Sequence, residues 1–352
     1  IGMGSSWDDA TGSLQGAINN TCAITEIWVK EGTYYPSDFI ANSGNQNDRS
    51  FILKNGIELY GGFVGNETMF SERDYVNHKS ILSGDIGVLN NKTDNSFHTV
   101  YSNGLNQSSV LDGFVITNGN NMAMGGGLIG SGAGIYNINS SPTIANCIIT
   151  NNYADNGGGV YNNNSAPRLT NCVIINNYAV NGAGMMSENN SYPYLINNVI
   201  TNNIATQLGG GLYNISSGPT ILNSTIAGNM GTGDGGGLIN TVYSYPIIKN
   251  TIIWNNKSTG RKNISNYLSN PIIQYSIIEG ESAMALSNNS SANPMFLNST
   301  KPEGADGLLM TKDRGLILFL YGMRRSKEGC STFMSYLIIC LFFPKRLYHR
   351  LG

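Results

Sequence analysis

Apolar residues recur at three fixed places in a unit of about 25 residues that begins near Gly132. One follows the third residue of a glycine-rich triplet, a second lies two positions after a proline, and an isoleucine lies seven positions after that proline. The third glycines are Gly134, Gly159, Gly184, Gly211 and Gly237, and the prolines are Pro142, Pro167, Pro193, Pro219, Pro246 and Pro271. A fixed period of this length indicates a solenoid.

The short apolar anchors favour strands over helices. A helical repeat needs runs of about ten or more good helix formers with 3.6-residue periodicity, whereas these units are rich in Gly, Asn and β-branched residues. Three strands of about five residues and three turns fit one unit. Each unit is therefore predicted to be one coil of a parallel β-helix, in which equivalent residues stack about 4.8 Å apart.

Upstream of the clear repeats, the strand pattern is weaker but continues. The segment "SLQGAI" places Leu14, Ala17 and Ile18 on one helical face, which predicts a short helix that covers the open N-terminal end of the core. The apolar segments that follow predict further strands, to give about nine or ten rungs in all. The stretch from Pro36 to Asp48 is predicted to be a loop.

Two columns of asparagine follow from the repeat. The first is Asn146, Asn171, Asn197, Asn223 and Asn250, and the second is Asn152, Asn177, Asn203, Asn229 and Asn256. Asn tolerates left-handed backbone, and its amide can bond to the copies above and below, so we interpret both columns as structural ladders at corners rather than as a binding site. The glycine triplets are interpreted as tight turns, since they lack the Lys-Ser/Thr pair of a phosphate loop.

The composition agrees with a solenoid that needs little charge. Charged residues make up 12% of the 352 residues, and there are 44 glycines. Cys147 and Cys172 share a repeat position and are predicted to stack inside the coil as free thiols, although the spacing of one rung also permits a disulfide. Neither a CxxC motif nor a His-rich spacing occurs, so no metal site and no cofactor are predicted.

A column of aromatic side chains is the best candidate for ligand binding. Tyr136, Tyr161 and Tyr213, together with Met186 and Ile239, lie two positions after the third glycine. Strand alternation turns these side chains outward if the preceding residues point inward. Stacked tyrosines suit a sugar or a protein surface, whereas the alternative is that they only satisfy strand propensity.

Several segments together resemble a known family. They are "GSSWDDATGSLQGAI", "IWVKEGTYYP", "RSFILKNGIELYGGFVGNET", "SERD", "SILSGDIG", "LDGFVITNG" and the repeated "GGGxYN…NCxIxxN". The resemblance is to the right-handed, pectin-lyase-like parallel β-helix proteins of bacterial cell surfaces, including those related to polymorphic outer-membrane-protein repeats, and it covers residues 4 to 315. It implies an all-β, right-handed single-stranded solenoid. It does not imply one function, because this architecture hosts polysaccharide lyases, hydrolases, adhesins and stalks.

A catalytic role requires a site, and the repeats do not supply one. Lyase-like chemistry needs clustered carboxylates for Ca²⁺ and a base, and hydrolase-like chemistry needs two or three carboxylates on one face. The pairs Asp8 with Asp9 and Glu72 with Asp74 lie in predicted cap and loop segments, where solvated turn residues are the better interpretation. No catalytic residues are predicted.

The chain is expected to form one β-helix domain over residues 1–311, with clear repeats from 132 to 280. Residues 312–352 change abruptly from an acidic to a basic composition. Their longest apolar run, Cys330 to Phe343, is shorter than the roughly 18 residues of a membrane span. A frameshifted or truncated end is preferred to a membrane anchor, so membrane association is expected only through missing or atypical termini.

The sequence as a whole predicts a non-enzymatic protein that is secreted or displayed on the bacterial outer surface, as an adhesin or a structural stalk. The alternative is a protein that binds or cleaves polysaccharide. The expected partners are a glycan or a protein on a host or neighbouring cell, and no nucleic acid.

Overall fold

The computed structural model describes residues 5–20, 25–40, 45–122, 130–280, 288–294 and 296. In this part of the chain the predicted all-β fold is confirmed, because the chain winds into a parallel β-helix. Its strands form four sheets, which we label A, B, C and D in the order in which each coil visits them. Sheets A, B and D have nine strands each, and sheet C has five.

The strands are numbered in chain order. Sheet A consists of β1 (Glu26–Lys30), β5 (Glu58–Phe63), β8 (Val110–Asp112), β12 (Thr143–Ala145), β16 (Arg168–Thr170), β20 (Tyr194–Ile196), β24 (Thr220–Leu222), β28 (Ile247–Lys249) and β31 (Ile272–Gln274). Sheet B consists of β2 (Gly32–Tyr34), β6 (Ser80–Ser83), β9 (Phe114–Thr117), β13 (Ile148–Thr150), β17 (Val173–Ile175), β21 (Val199–Thr201), β25 (Thr225–Ala227), β29 (Ile252–Trp254) and β32 (Ile277–Ile278).

The other two sheets complete each coil. Sheet C consists of β10 (Asn120–Asn121), β14 (Tyr153–Asn156), β18 (Tyr178–Asn181), β22 (Ile204–Leu208) and β26 (Met230–Gly231). Sheet D consists of β3 (Asp38–Phe39), β4 (Arg49–Ile52), β7 (Val100–Asn103), β11 (Ile135–Ile138), β15 (Val160–Asn163), β19 (Met185–Glu188), β23 (Leu212–Ile215), β27 (Leu238–Thr241) and β30 (Ile264–Tyr267). Three single-turn 3₁₀ helices occur at Gln46–Asp48, Phe70–Glu72 and Lys92–Asp94.

The predicted N-terminal helix is present as α1 (Leu14–Asn19). The Ser13 hydroxyl accepts a hydrogen bond from the Gly16 amide at 3.0 Å and so caps its first turn. Leu14 and Ile18 join the hydrophobic core. The Gln15 side chain accepts from the Ile52 amide at 3.0 Å and donates to the Ile52 carbonyl at 3.2 Å, so it satisfies the exposed edge of β4.

The three predicted anchors form the core, because each stacks on its equivalent in the next rung. On sheet D, for example, Val100, Ile135 and Val160 lie in register, and all are fully buried. Cys147 and Cys172 are buried and free, as predicted. Burial raises the pKa of the Cys147 thiol well above its ordinary value, so the thiol stays protonated and uncharged in the core.

Each regular coil has four strands, whereas three were predicted. The additional strands of sheet C contribute only a small side chain to the interior: Ala154, Ala179 and Ala205 are fully buried. Such short strands lack the alternating large apolar residues by which a strand is normally recognised. Within the predicted loop after Pro36, β3 pairs antiparallel with β4, which is another departure from the expected pattern.

The two asparagine columns have different environments. In the first, Asn146 has a positive φ of 52° and accepts from the Asn171 amide at 3.2 Å. In the second, Asn177 is buried, accepts from the Asn152 amide groups and donates to the Ile149 carbonyl at 2.9 Å. The second column therefore satisfies backbone groups that a buried corner would otherwise leave without partners.

Serines form a third polar column at the corner between sheets D and A. The hydroxyls of Ser165, Ser191, Ser217, Ser244 and Ser269 each accept from the backbone amide of the equivalent serine one rung earlier, at 3.0–3.1 Å. The first four of these side chains are buried. The end of the predicted domain near residue 311 and the predicted atypical tail, residues 312–352, lie outside the described residues.

Candidate binding faces

The predicted tyrosine column runs along the outer side of sheet D. Tyr101, Tyr136 and Tyr161 lie in register on β7, β11 and β15, and Met186, Tyr213 and Ile239 continue the row. Tyr101 extends the column by one rung, although it precedes the clear repeats. We call this row, from Tyr101 to Ile239, the tyrosine column.

The tyrosine column is largely shielded from solvent. Tyr161 is only 4% exposed, and Met186 and Ile239 are buried as well, while Tyr136 and Tyr213 are half-buried. The Tyr161 hydroxyl donates to the Glu188 carboxylate. The His98 ring stacks on Tyr136 with a centroid separation of 4.4 Å. A sugar ring would find no continuous aromatic face here.

The glycine corners between sheets C and D explain this shielding. Gly157 has a positive φ of 63°, and a Cβ atom there would lie 2.8 Å from the Cβ of Tyr161. The corner backbone therefore packs directly against the base of the tyrosine, which only glycine allows. Alternation correctly places these side chains outside the coil, but it does not reveal what lies over them.

The pKa values of the column reflect its burial. Burial raises the pKa of Tyr136, and burial with the Glu188 hydrogen bond raises that of Tyr161. Burial lowers the pKa of His98 to about 4, so its imidazole is neutral at physiological pH. These are the properties of packed structural groups.

A second set of tyrosines is exposed on the last rungs. These tyrosines and three neighbouring aliphatic residues lie on the outer side of β20, β28 and β31 and on the turns that lead into these strands. We define this tyrosine face as Tyr192, Tyr194, Tyr243, Tyr245, Ile247, Leu268 and Ile272, whose exposures range from 36% to 72%. If each residue presents about half of its side chain, the face offers roughly 600–700 Å², which exceeds the largest apolar patch of most monomers.

The exposure of these tyrosines has a local cause in the sequence. Tyr192 and Tyr245 each stand between a serine and a proline. The proline favours an extended conformation at the tyrosine before it, and the serine points inward to join the serine column. The tyrosine is consequently turned outward. The Ser-Tyr-Pro tripeptides are the signal by which the sequence could have revealed this face.

A glycine lies between these two tyrosines in the stack. Tyr192, Gly218 and Tyr245 all precede a proline, in three consecutive rungs. A Cβ atom at Gly218 would lie 3.6 Å from Cδ1 of Tyr192 and 3.0 Å from the Tyr245 carbonyl oxygen. The Tyr192 ring therefore lies against the backbone at Gly218, where a larger side chain would occupy the space beside it.

Of the two carboxylate pairs singled out in the sequence, Glu72 with Asp74 has several structural partners, and in the other pair Asp9 accepts from the Ser5 hydroxyl at 3.4 Å. Glu72 accepts from the amides of Thr68 and Met69, and Asp74 accepts from those of Val76 and Asn77. These hydrogen bonds lower the pKa of both carboxyl groups, although burial opposes this at Asp74. Both carboxylates therefore order their own loop.

An open cleft of about 350 Å³ lies near the N-terminal rungs. It is lined by Tyr35, Pro36, Arg49, Asp85, Ile86, Gly87 and Leu89. Both oxygens of its carboxylate, Asp85, accept from the Asn90 amide. Among the described residues, no group of three or more His, Cys, Asp or Glu side chains is arranged to hold a metal ion.

In the comparisons with known proteins, no family model, no curated protein and no solved structure matches this chain. Within the described residues, no helix has the length and apolar character required to cross a membrane. The fold that the structure supports is a parallel β-solenoid.

Proposed function

We propose that this chain is a non-enzymatic binding protein, an adhesin or stalk, that is secreted or displayed on the bacterial cell surface. The tyrosine face carries this proposal, because it is a broad, half-exposed aromatic surface on a rigid solenoid. Tyrosines are enriched where proteins meet their partners, since each ring supplies apolar area and a polar hydroxyl at low entropic cost. The outer-surface location rests on the sequence resemblance.

A glycan is the second candidate ligand. Tyr192 and Tyr245 are both about half-exposed on the rungs either side of Gly218, and exposed aromatic rings suit stacking on sugar rings. The sheet itself supplies a flat support that needs no rearrangement on binding. A glycan and a protein therefore compete as partners of the same face.

The proposal is tested by retention of the full chain on a glycan array and on a panel of purified cell-surface proteins. The double variant Tyr192→Ser with Tyr245→Ser should lose at least about tenfold in retention, as expected when central aromatic anchors are removed. Tyr35→Ser is the matched control, because Tyr35 is 49% exposed and lies away from the face. Equal retention of the double variant and the unaltered chain would contradict the proposal.

The non-enzymatic part of the proposal has its own assay. The protein is incubated with pectic polysaccharides, with and without Ca²⁺, and the release of unsaturated or reducing sugars is measured. We expect no release above a heat-denatured sample. Turnover that disappears when a single Asp is replaced would favour the polysaccharide-cleaving alternative.

A further inference from the structure

The two ends of sheet A carry similar aromatic side chains on their outer face, but among the described residues only the first rungs have a covering loop. On β1 and β5, the rings of Trp28 and Tyr60 point outward, in register. The loop after β5 folds back over them: Phe70 packs against Trp28 at 6.0 Å and against Tyr60 at 4.8 Å between ring centroids. The chain therefore supplies its own cover for the first rungs.

Arg73 fixes this cover in place. Its guanidinium donates to the Asp112 carboxylate at 2.6 Å and to the Asp112 carbonyl at 2.7 Å. It also lies about 5 to 6 Å from the ring centroids of Tyr60, Phe70 and Tyr75. The covering segment thus combines an aromatic residue with a cation, and it meets a face that combines aromatic residues with acids.

Further along the same sheet, cations replace these acids: one lies on the central strand and one on the last rungs. At positions equivalent to Glu58 and Asp112 on the first rungs, β16 carries Arg168 and β28 carries Lys249. Lys249 lies within the tyrosine face, and Arg168 lies one rung before it, beside Tyr194. A segment that covers the tyrosine face in the way that the Phe70 loop covers the first rungs must carry both apolar side chains and carboxylates.

The loop that covers the first rungs carries both apolar side chains and carboxylates on its solvent side. Met69 and Phe70 are 58% and 43% exposed. Carboxylates surround them in sequence and in space: Glu26 and Glu72 are exposed, and Glu67 is half-exposed. The first rungs of sheet A therefore present apolar side chains bordered by carboxylates, and the last rungs present aromatic and aliphatic side chains beside Lys249.

We propose that the tyrosine face binds the N-terminal rungs of a second copy of this chain, in an antiparallel two-fold dimer. An axis near the middle of the nine-stranded sheet A places the first two rungs of one copy against the last two rungs of the other. The contact occurs twice by symmetry. Five residues of the tyrosine face, Tyr243, Tyr245, Ile247, Leu268 and Ile272, lie on the last two rungs and the turns that lead into them, and offer roughly 450–500 Å². Each copy contributes this surface to one contact and its first rungs to the other, so the total approaches the roughly 800 Å² per partner of a specific interface.

The inference rests on the proposed function, because it names the partner of the same face. On a cell surface, antiparallel pairing joins chains that project from opposite directions. The face then acts in homotypic adhesion, and the acidic first rungs are its receptor.

The experiment is sedimentation of the full chain over a graded concentration series at about 0.1 M and about 1 M salt, where the Debye length falls from about 10 Å to about 3 Å. We expect a monomer–dimer equilibrium that weakens at high salt. Lys249→Glu and Glu58→Lys should each weaken dimerisation at least about tenfold, because each places like charges together at both contacts.

Mixing the two variants provides the decisive test of the charge pairing. A heterodimer of Lys249→Glu with Glu58→Lys pairs opposite charges at both contacts again, so the mixture should dimerise nearly as well as the unaltered chain. Lys257→Glu is the matched control, since Lys257 is exposed but lies outside sheet A. A chain that stays monomeric at every concentration, or a mixture that fails to recover, overturns the inference.

The outcomes also separate this inference from the proposed function. If the chain is monomeric but the double tyrosine variant still loses retention on a glycan or protein probe, the face binds another partner and only the dimer is refuted. If the chain dimerises but no surface probe is retained, the dimer stands and the adhesive function fails.

Discussion

Two sets of tyrosines in this protein have opposite surroundings although both lie outside the coil. The tyrosine column on sheet D is covered by the glycine corners and by its own neighbours, and Tyr161 is 4% exposed. On the tyrosine face of sheet A, Tyr245 is 54% exposed. The orientation of a side chain relative to its strand is therefore not enough to assign a binding role in a β-solenoid. The corner that accompanies the strand decides whether the ring is accessible.

The corners differ because their sequences differ. A glycine triplet with a positive φ at Gly157 brings backbone against Tyr161, whereas a Ser-Tyr-Pro corner keeps its backbone satisfied through an inward serine and leaves the tyrosine in solvent. Removing a ring from the column should consequently damage the fold, while removing one from the face should affect only binding.

The largest expected loss of stability follows from removing a buried ring from the tyrosine column. Tyr161→Ala should lower the free energy of unfolding by about 3–5 kcal/mol, because it leaves a cavity and removes the partner of Glu188. Tyr245→Ala should change it by about 0.5 kcal/mol or less. Chemical denaturation of both variants checks this, and equal losses would remove the distinction between the two sets.

The next effect concerns His98, which stacks on the column at Tyr136. Its pKa is lowered from 6.5 to about 4 by burial, so the unfolded chain binds a proton there before the folded chain does. Stability is then fully present above about pH 6.5 and falls as the pH decreases towards 4, by up to about 3 kcal/mol. Thermal melts across this range should show the loss, and His98→Gln should flatten it.

The glycine corners provide a smaller effect with an internal control. Gly157→Ala places a Cβ atom at positive φ and 2.7 Å from the Val160 carbonyl oxygen, so a cost of about 2–3 kcal/mol is expected. Gly218→Ala, on the rung between Tyr192 and Tyr245, meets no neighbouring atom closer than 3.0 Å and should cost about 1 kcal/mol or less. If Gly218→Ala lowered the melting temperature more than Gly157→Ala, the glycine corner would not be what packs against the tyrosine column.

The smallest effect on stability is expected within the tyrosine face itself. Tyr243 is 63% exposed, so Tyr243→Ser should change the free energy of unfolding by about 0.5 kcal/mol or less. The same change should reduce the binding of an apolar fluorescent dye to the native protein, since it removes part of the exposed patch. A clear loss of stability would mean that this ring packs against the fold.

Much of the fold could be predicted from the sequence, because each rung repeats the same physical requirement. Ile135 and Val160 occupy equivalent positions and stack, and the same logic placed Cys147 and Cys172 together in the interior. The helix at Leu14 followed from its apolar face. Sheet C was missed because Ala154 and its equivalents are too small to produce a strand pattern.

The candidate site was harder to predict, since accessibility depends on contacts between distant segments. Nothing near Tyr161 in the sequence indicates that Gly157 folds against it, because this requires the φ of the glycine. The exposed face could have been found from the tyrosines before Pro193 and Pro246, which share one place in the repeat. The opposite charges at Glu58 and Lys249 become meaningful only once both are known to lie on sheet A.

Tyrosine footprinting tests the central distinction most directly. The native protein is treated briefly with a tyrosine-nitrating reagent, and modification of each tyrosine is measured by mass spectrometry against the unfolded chain. The account predicts rapid modification of Tyr192 and Tyr245 and strong protection of Tyr161, which is buried and hydrogen-bonded to Glu188. Modification of Tyr161 at the rate of Tyr245 would show that the column is open to ligands and would contradict the account.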